Sequence, residues 1–433
     1  MHIKPRVLLF LLGFFCLALP GCSQIAPGSA PAASATPTSH GLLLITPTLT
    51  PSLPTGTVSI WHSLQDDELP ALLRPIEDFR KANPGVQFDV TYIPSLDLRA
   101  AYEQAALQGR APTVLVGAAD WGPSLYDQGL VAELSSLAPQ ELLDRLNPAG
   151  VETGRYKDAL LGLPLNLEGV VLYRNGAIAP IGPATFDELV TFAQSATEGG
   201  AVGAILDRGF AYSGAHLNGL GGKWINPDGT PAFNNENGLE WAALLGAFEQ
   251  AGPVEYQSDN DLQLFKEGRV GMITEGTWQS QNLAEAIGAD NLVIDPWPLV
   301  SGGALSGFVR ADSVFLNPRA LEEDDQISWE FVKTLFTPQS QAGLAQVGFI
   351  PAIDPAQITA AGAEAKIEDP LISQAMAALA GGAAYPTHPQ FPLYLPYLDI
   401  AIQSIFNGEA SAAGALQTAE EAILAELQST PEP

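Results

Sequence analysis

Cysteine is almost missing from this chain of 433 residues, because its two cysteines, Cys16 and Cys22, both lie within the first 22 positions. The rest of the chain therefore has no thiol for a disulfide, a catalytic thiolate or a cysteine metal site. The histidines are equally sparse, and their scatter does not match the spacing of a zinc site; they are His2, His40, His62, His216 and His388. A chain of this length must be held together by burial of apolar residues, which make up 46 % of it.

Basic residues are also few, since 19 Lys and Arg stand against 48 Asp and Glu, for a formal net charge of −29. A surface with this charge repels nucleic acids and anionic lipid headgroups, so no nucleic-acid partner is expected. The sequence lacks the H-E-x-x-H, G-x-S-x-G, Walker A and G-x-G-x-x-G signatures. The sequence therefore gives no support for a common metallopeptidase, serine hydrolase or nucleotide-binding protein. We predict that the protein is not an enzyme and that it binds no cofactor or metal.

The N-terminus, residues 1–22, has the pattern of a bacterial signal peptide. Lys4 and Arg6 form a positive start, and the apolar run Val7–Ala18 is shorter than the about 20 residues of a membrane span. The following Leu-Pro-Gly-Cys, which ends at Cys22, resembles the lipobox of bacterial lipoproteins, whose cysteine is acylated and becomes the new N-terminus. This resemblance predicts a lipid anchor at Cys22 and a location outside the cytoplasm; an ordinary signal peptide cleaved nearby is the alternative.

Residues 23–56 are rich in Ser, Ala, Thr and Pro. Proline removes backbone donors and favours extended conformations, so no core is expected in this segment. We interpret it as a tether between the anchor and the globular part.

The globular part begins with a strand–helix–strand–helix–strand pattern. Alternation predicts strands at 57–61 and 86–92, a short apolar run predicts one at 114–116, and helical spacing predicts helices at 69–79 and 98–107. This order predicts a parallel sheet with helices on its faces. In such sheets ligands bind beyond the carboxyl ends of the strands, where Trp61, His62, Ser63, Asp120 and Trp121 are expected.

Later elements are predicted from local patterns. They are a strand that crosses into a second region at 163–173, a helix opened by the capping box of Thr185 and Glu188, a strand at 268–273, and helices at 328–336 and 413–428.

Six segments in a fixed order resemble the family of extracellular sugar-binding proteins that includes maltose-binding protein. They are Trp61-His62-Ser63, Gly129–Leu134, Tyr156–Asn175, Gly221–Asn234, Phe265–Trp278 and Gly348–Pro351. The resemblance covers about residues 57–430. One departure is Pro112-Thr113, where the family usually has Pro-Asp.

The resemblance implies an α/β fold of the type II periplasmic-binding-protein kind. Two lobes, each discontinuous in sequence, would be joined by hinge crossings with the ligand in the cleft between them. The expected first lobe is 57–166 with 309–356, and the second is 167–308 with 357–433. The implied function is capture of a sugar or oligosaccharide by hinge closure and its delivery, by a monomer, to the permease of an ABC importer.

Sugars present apolar ring faces and hydroxyl edges, so their sites combine flat aromatic side chains with fixed polar groups. From the first lobe we predict Trp61, His62, Ser63, Asp120 and Trp121 as ligand-binding residues. From the crossover and the second lobe the candidates are Glu168, Tyr212, Glu275, Trp278 and Tyr394, with Trp278 matching the family position of a cleft aromatic. Each has a structural alternative, such as a core position for Trp61 or a solvated turn for Glu275.

Two other functions remain open from the sequence. The same fold binds other solutes, and an acidic aromatic cleft would suit a polyamine. A glycoside hydrolase would need two carboxylates across the cleft, for instance Asp120 or Glu168 with Glu275.

Overall fold

The computed structural model describes residues 54–256, 258–321, 326–362 and 365–429. The predicted signal peptide, Cys22 and nearly all of the predicted tether lie outside these residues. None of the helices in the described ranges is both long and apolar enough to cross a bilayer.

The first three strands confirm the pattern predicted from the sequence. Strand β1 (Thr55–His62) lies between β2 (Gly85–Tyr92) and β3 (Val114–Ala118), and both pairings are parallel. Helices α1 (Pro70–Ala82) and α2 (Ser95–Leu107) connect them. Thr113, at the departure from the family pattern, is bonded reciprocally to Ser59 of β1: its amide donates to the serine hydroxyl at 2.8 Å, and its own hydroxyl accepts from the serine amide at 3.1 Å. The threonine thus ties β3 to β1.

Most of the remaining strands extend this sheet in the order β2-β1-β3-β13-β6-β9-β7-β8, with β10 and β14 also paired to β6 and β15 to β13, while β4 pairs with β5 and β11 with β12 in two separate two-stranded sheets. Their bounds are β4 Arg155–Tyr156, β5 Ala159–Leu160, β6 Gly162–Asn175, β7 Val202–Asp207, β8 Val254–Glu255, β9 Val270–Gly276, β10 Leu292–Asp295, β11 Leu299–Val300, β12 Gly303–Ala304, β13 Phe308–Leu316, β14 Ile350–Pro351 and β15 Ala383–Ala384.

The remaining helices pack against the sheet or against one another. They are α3 Gly122–Asp127, α4 Gln140–Leu143, α5 Pro148–Thr153, α6 Phe186–Glu198, α7 Phe210–Ser213, α8 Ala215–Gly219, α9 Glu236–Ala247, α10 Asn260–Lys266, α11 Ser280–Ile287, α12 Gln326–Thr334, α13 Pro338–Ala345, α14 Pro355–Ala361, α15 Pro370–Ala380, α16 Leu395–Phe406 and α17 Ala412–Ser429. At α6, the Thr185 hydroxyl accepts from the Glu188 amide as predicted, while the Glu188 carboxylate accepts from the Ala184 amide.

The long strand β6 belongs to both halves of the sheet. Its first part, Gly162–Gly169, pairs with β13, and its second part, Val170–Arg174, pairs with β9. The predicted crossing strand is therefore confirmed, and it changes partner between Gly169 and Val170. The lobe boundaries stay predictions.

The apolar core differs on the two faces of the sheet. On one face a single core runs from β1 and β3 through β6 and β13 to β9, and it receives Leu163, Leu167, Val171 and Tyr173 of β6. On the other face there are two separate cores, and a fourth cluster of three residues, Tyr156, Ala159 and Leu161, packs against Tyr126 of α3. A small one packs α2 and α3 against β3, and a larger one packs α6, α9, α16 and α17 against the second half of the sheet. Since strand residues alternate between faces, the even-numbered residues of β6 point to the face where the core is divided.

Candidate functional site

Charged side chains occupy the gap between the two separate cores. The structure describes every residue of β6, and Glu168 is the only exposed one among them. It lies opposite Arg310 of β13 in the strand register, and Arg310 alone is exposed in that fully described strand. Asp312 follows two positions later on the same face. Exposed charges in the middle of two buried strands indicate a groove in the sheet face rather than a packed interior.

Two adjoining cavities occupy this groove. The first, of about 110 Å³, is lined by Asp120, Thr153 and Asp312 among others. The second, of about 360 Å³, is lined by Tyr212, Trp278 and Phe308 among others. Both share Glu168, Arg310 and Tyr385, so they form one cleft. We call it the charged cleft and define it by Asp120, Glu168, Tyr212, Trp278, Arg310, Asp312 and Tyr385.

The cation of the charged cleft is held against an aromatic ring. The Arg310 guanidinium lies 3.8 Å from the centre of the Tyr385 ring, a cation–π contact. Tyr385 is fixed in turn, since its amide donates to the Val309 carbonyl at 2.9 Å and its ring meets Phe308 edge to face. Arg310 is therefore oriented before any ligand arrives.

Carboxylates dominate the floor of the cleft. Burial raises the pKa of Glu168, and the charge of Asp312 raises it further while Arg310 lowers it. Burial also raises the pKa of Asp312, whose carboxylate accepts from the Asn166 side chain at 3.3 Å. Such partly desolvated carboxylates gain from a ligand that offers hydroxyl or amine donors.

The aromatic wall of the cleft is formed by Trp278, which is 51 % exposed. It sits in a 3₁₀ turn, Thr277–Gln279, directly after β9. Its ring lies over Gly276, where an added Cβ would come within 2.1 Å of the ring. The φ of Gly276 is −76°, so glycine is needed there for space and not for backbone conformation.

Buried carboxylates lie behind Tyr212, the neighbouring residue of this wall. Glu275, Asp207 and Asp261 are each at most 3 % exposed. Burial first, and then the charges of Asp207 and Glu275, raise the pKa of Asp261 to about 7, against the lowering effect of its bond from the Leu262 amide. Within the described ranges, no group of three or more His, Cys, Asp or Glu is arranged to hold a metal ion.

Four of the residues predicted from the sequence line the charged cleft: Asp120, Glu168, Tyr212 and Trp278. Glu275, a fifth, lies behind Tyr212 and is buried. Arg310, Asp312 and Tyr385 were missed. The sequence of Phe308–Leu316 contains a signal for the first two, since Arg310 and Asp312 are its only charged residues, lie two positions apart, and are surrounded by residues that are apolar except for Ser313.

The other predicted residues lie elsewhere in this structure. Trp61 and Trp121 are half-buried and pack against the small core of α2 and α3. His62 is 2 % exposed, and its Nδ1 accepts from the Leu64 amide at 3.1 Å, with half-buried Ser63 between them. Tyr394 is 0 % exposed, and its hydroxyl donates to the Gly229 carbonyl at 2.7 Å. The polar atoms of His62 and Tyr394 thus serve the backbone, and none of these five lines the cleft.

Comparison with known families decides the class of the protein. The model of the family described as "Bacterial extracellular solute-binding protein" matches residues 75–370, more than half of the chain. The chain belongs to this family. It is an extracellular solute-binding protein, and the charged cleft is its candidate solute site.

Individual relatives agree with this assignment. The binding protein is 24 % identical over 319 residues to the "Maltotriose-binding protein" of Pyrococcus abyssi, a match that covers 69 % of this chain and 67 % of the relative. Its structure is similar to that of the cyclic α-maltosyl-1,6-maltose binding protein of Arthrobacter globiformis, with a TM-score of 0.73, 20 % identity, and 87 % and 100 % of the two chains covered. A Staphylococcus aureus extracellular solute-binding protein in complex with maltose gives a TM-score of 0.72 at 19 % identity, with 86 % and 98 % covered. These likenesses confirm the predicted periplasmic-binding-protein fold.

The buried carboxylates predict an unusual pH dependence of stability. Because the pKa of Asp261 is raised from 3.8 to about 7 on folding, the folded state holds a proton that the unfolded state releases. The free energy of unfolding contributed by this group therefore falls as the pH rises from about 4 to about 7. Asp261→Asn should raise the free energy of unfolding by about 3 kcal/mol at pH 8 and change it little at pH 4.

Denaturant unfolding at the two pH values measures this difference. The matched control is Asp259→Asn, which neutralises an exposed carboxylate two positions earlier. Equal effects of Asp261→Asn at pH 4 and pH 8 would show that Asp261 is not a strained buried acid.

Proposed function

We propose that this binding protein captures a sugar or oligosaccharide outside the cytoplasm and delivers it to the permease of an ABC importer. The observation that carries the proposal is the composition of the charged cleft. Flat rings of Trp278, Tyr212 and Tyr385 stand beside fixed polar groups, among them Glu168 and Arg310. Rings pack on the apolar faces of a sugar, and charged groups bond its hydroxyls, both as donors and as acceptors.

The names of the relatives support the same class of ligand. Both the Pyrococcus abyssi relative and the Arthrobacter globiformis structure are named for the glucose oligosaccharides that they bind. We therefore take maltotriose as the first probe for this chain, within a panel of other neutral sugars.

The mechanism that we propose is hinge closure. Strands β6 and β13 run beneath the cleft and carry Glu168 and Arg310, while Asp120 comes from the first half of the sheet and Trp278 from the second. A ligand that contacts both halves only when they approach would shift the protein towards the closed form. The closed form would then dock on the permease as a monomer and release the sugar.

A polyamine is the second candidate ligand, because the cleft contains three carboxylates, those of Asp120, Glu168 and Asp312, beside the single guanidinium of Arg310. Against it stands Arg310 itself, since its guanidinium is held at the centre of the cleft and would repel a polycation. Thermal unfolding with maltotriose and with spermidine separates the two, because a ligand that binds the folded state raises the melting temperature.

We propose binding without catalysis. The hydrolase alternative pairs Asp120 or Glu168 with Glu275 as the second catalytic carboxylate. Glu275 is buried behind Tyr212, which disfavours its direct contact with a glycosidic bond.

Trp278→Ala should weaken maltotriose binding by about 2–3 kcal/mol, because the stacking surface of the second half is lost. Trp121→Ala is the matched control: this tryptophan also follows a strand end through a 3₁₀ turn but packs against the small core. It should lower the melting temperature and leave the dissociation constant nearly unchanged. Isothermal titration calorimetry on both variants checks the assignment, and unchanged affinity in Trp278→Ala would remove Trp278 from the site.

We also propose that Cys22 is acylated and holds the protein at the outer surface of the cell membrane. The support is the signal-like sequence before Cys22, and the residue itself lies outside the described ranges. Cys22→Ser should move the protein from the membrane fraction to the soluble fraction after cell lysis. Retention of the variant in the membrane fraction would contradict the anchor.

A further inference from the structure

Two aromatic rings from different halves of the molecule meet beside the charged cleft. His388, in the loop 386–390 that follows β15, contacts Tyr156 of β4 edge to face, with the ring centres 5.5 Å apart and the planes at 66°. Chain neighbours of both residues line the smaller cavity, namely Thr387 and Thr153. His388 and Tyr156 themselves line neither cavity, so their contact lies next to the solute site and not in it.

Tyr156 is held by the first half. Its hydroxyl donates to Asp127 Oδ2, at the end of α3, at 3.0 Å. The following residue, Lys157, donates to Asp127 Oδ1 at 2.9 Å, and its ammonium lies 4.8 Å from the centre of the Tyr156 ring. Lys157 and Asp158 have φ angles of +48° and +65°, which residues other than glycine adopt rarely and only where their surroundings hold them. The hairpin of β4 and β5 therefore presents Tyr156 in a fixed orientation.

His388 is held by the second half. Its loop ends at Phe391, which belongs to the larger core and whose amide donates to the His388 carbonyl at 2.8 Å. The His388 Nδ1 accepts from the Gln390 amide at 3.2 Å. A Cβ added to Gly229 would come within 2.7 Å of the His388 Cε1, so the imidazole also packs against the turn that contains Gly229. The imidazole thus lies between a turn of the second half and a ring of the first.

We infer that the contact between His388 and Tyr156 holds the two halves together in the closed form and so raises the affinity for the solute without touching it. This inference rests on the proposed function and assigns a pair of positioning residues to the closure. If only the closed form binds tightly, the apparent dissociation constant is the intrinsic one divided by the closed fraction. Loss of the contact lowers that fraction and leaves every group that touches the sugar in place.

The charges around His388 make the contact depend on pH. The groups that face it are Tyr156 and Lys157 of the hairpin, Asp127 of α3 and Asp228 of the turn. Burial lowers the pKa of His388 below its ordinary value of 6.5, Lys157 lowers it further, and Asp127 and Asp228 oppose this without cancelling it. Separation of the halves exposes the imidazole, so the open form takes up a proton more readily than the closed form. The sugar affinity should therefore fall as the pH falls below about 6.5.

A double-mutant cycle with maltotriose at pH 8 tests the contact. His388→Ala and Tyr156→Leu should each raise the dissociation constant about fivefold, which corresponds to the roughly 1 kcal/mol of an aromatic pair. The double variant should bind about as weakly as either single variant, because all three lack the same contact. Unchanged affinity in the single variants, or effects that multiply to about 25-fold, would overturn the inference.

Phe88→Leu is the matched control for the loss of an aromatic ring. It removes edge-to-face contacts with Phe79 and Phe331, which lie at β2 and within the first half. This variant should lower the melting temperature and leave the dissociation constant nearly unchanged. A fivefold loss of affinity in Phe88→Leu would show that any weakening of the first half has this effect, and it would overturn the specific role of Tyr156.

The pH profile of the dissociation constant is the second readout. His388→Phe keeps a ring against Tyr156 but cannot take up a proton. It should bind maltotriose at pH 8 within about twofold of the wild type, and the decline below pH 6.5 that belongs to His388 should be missing. A loss of affinity at pH 8 as large as that of His388→Ala, or a decline equal to that of the wild type, would contradict the inference.

A third measurement needs no ligand and separates this inference from the proposed function. Exposed Gln128, next to Asp127, and exposed Lys223, shortly before the turn, flank the contact from the two halves. Spin labels on Gln128→Cys and Lys223→Cys, in a chain that also carries Cys16→Ser and Cys22→Ser, report their separation by double electron–electron resonance. His388→Ala should shift the distances to longer values.

If maltotriose and the sugar panel fail to bind the wild-type protein, the proposed function fails while these distances still decide the contact. Equal distance distributions in the labelled protein with and without His388→Ala would overturn the inference.

Discussion

The arrangement depends on one constraint, the division of the apolar core on one face of the sheet only. On the first face, β6 and β13 are covered throughout by a continuous core. On the second face, the two cores stop short of each other, and the same strands carry Glu168, Arg310 and Asp312. A continuous core on one side resists separation of the halves, whereas the divided side leaves room for a solute and for a change of angle between them.

This constraint also explains why the cleft is charged. A strand that is buried on just one of its faces has alternating apolar and polar residues. In β6 and β13 this alternation is confined to the few positions above the gap between the two cores. The charges are then stabilised locally, Arg310 by the ring of Tyr385 and Asp312 by Asn166. Two of the buried carboxylates near Tyr212 are also stabilised locally, since Glu275 accepts from the Gly276 amide and Asp261 from the Leu262 amide.

Most of the fold could be predicted from the sequence, because its signals are local. The parallel strands β1 to β3, the crossing strand β6 and the capped helix α6 each follow from residue periodicity or from Thr185 and its neighbours. The site could be predicted in part. Asp120, Glu168 and Trp278 follow strand ends or the crossover, whereas Tyr385 comes from a short segment whose position depends on pairing β15 with β13.

The predicted residues that lie outside the charged cleft show the limit of motif reasoning. A strand-end position predicts proximity to the cleft edge and not the direction of a side chain. The buried His62 accepts a hydrogen bond from the Leu64 amide through Nδ1, and the Tyr394 hydroxyl donates one to the Gly229 carbonyl. The Tyr394 contact joins residues 165 positions apart, so no local pattern encodes it, whereas the His62 contact spans only two positions.

The most direct test of the account is small-angle X-ray scattering of the purified protein with and without saturating maltotriose. If a sugar closes the two halves about β6 and β13, the radius of gyration should decrease on addition of the sugar, and it should stay unchanged with spermidine. Binding of maltotriose, shown by calorimetry, without any change in the radius of gyration would contradict closure over the charged cleft.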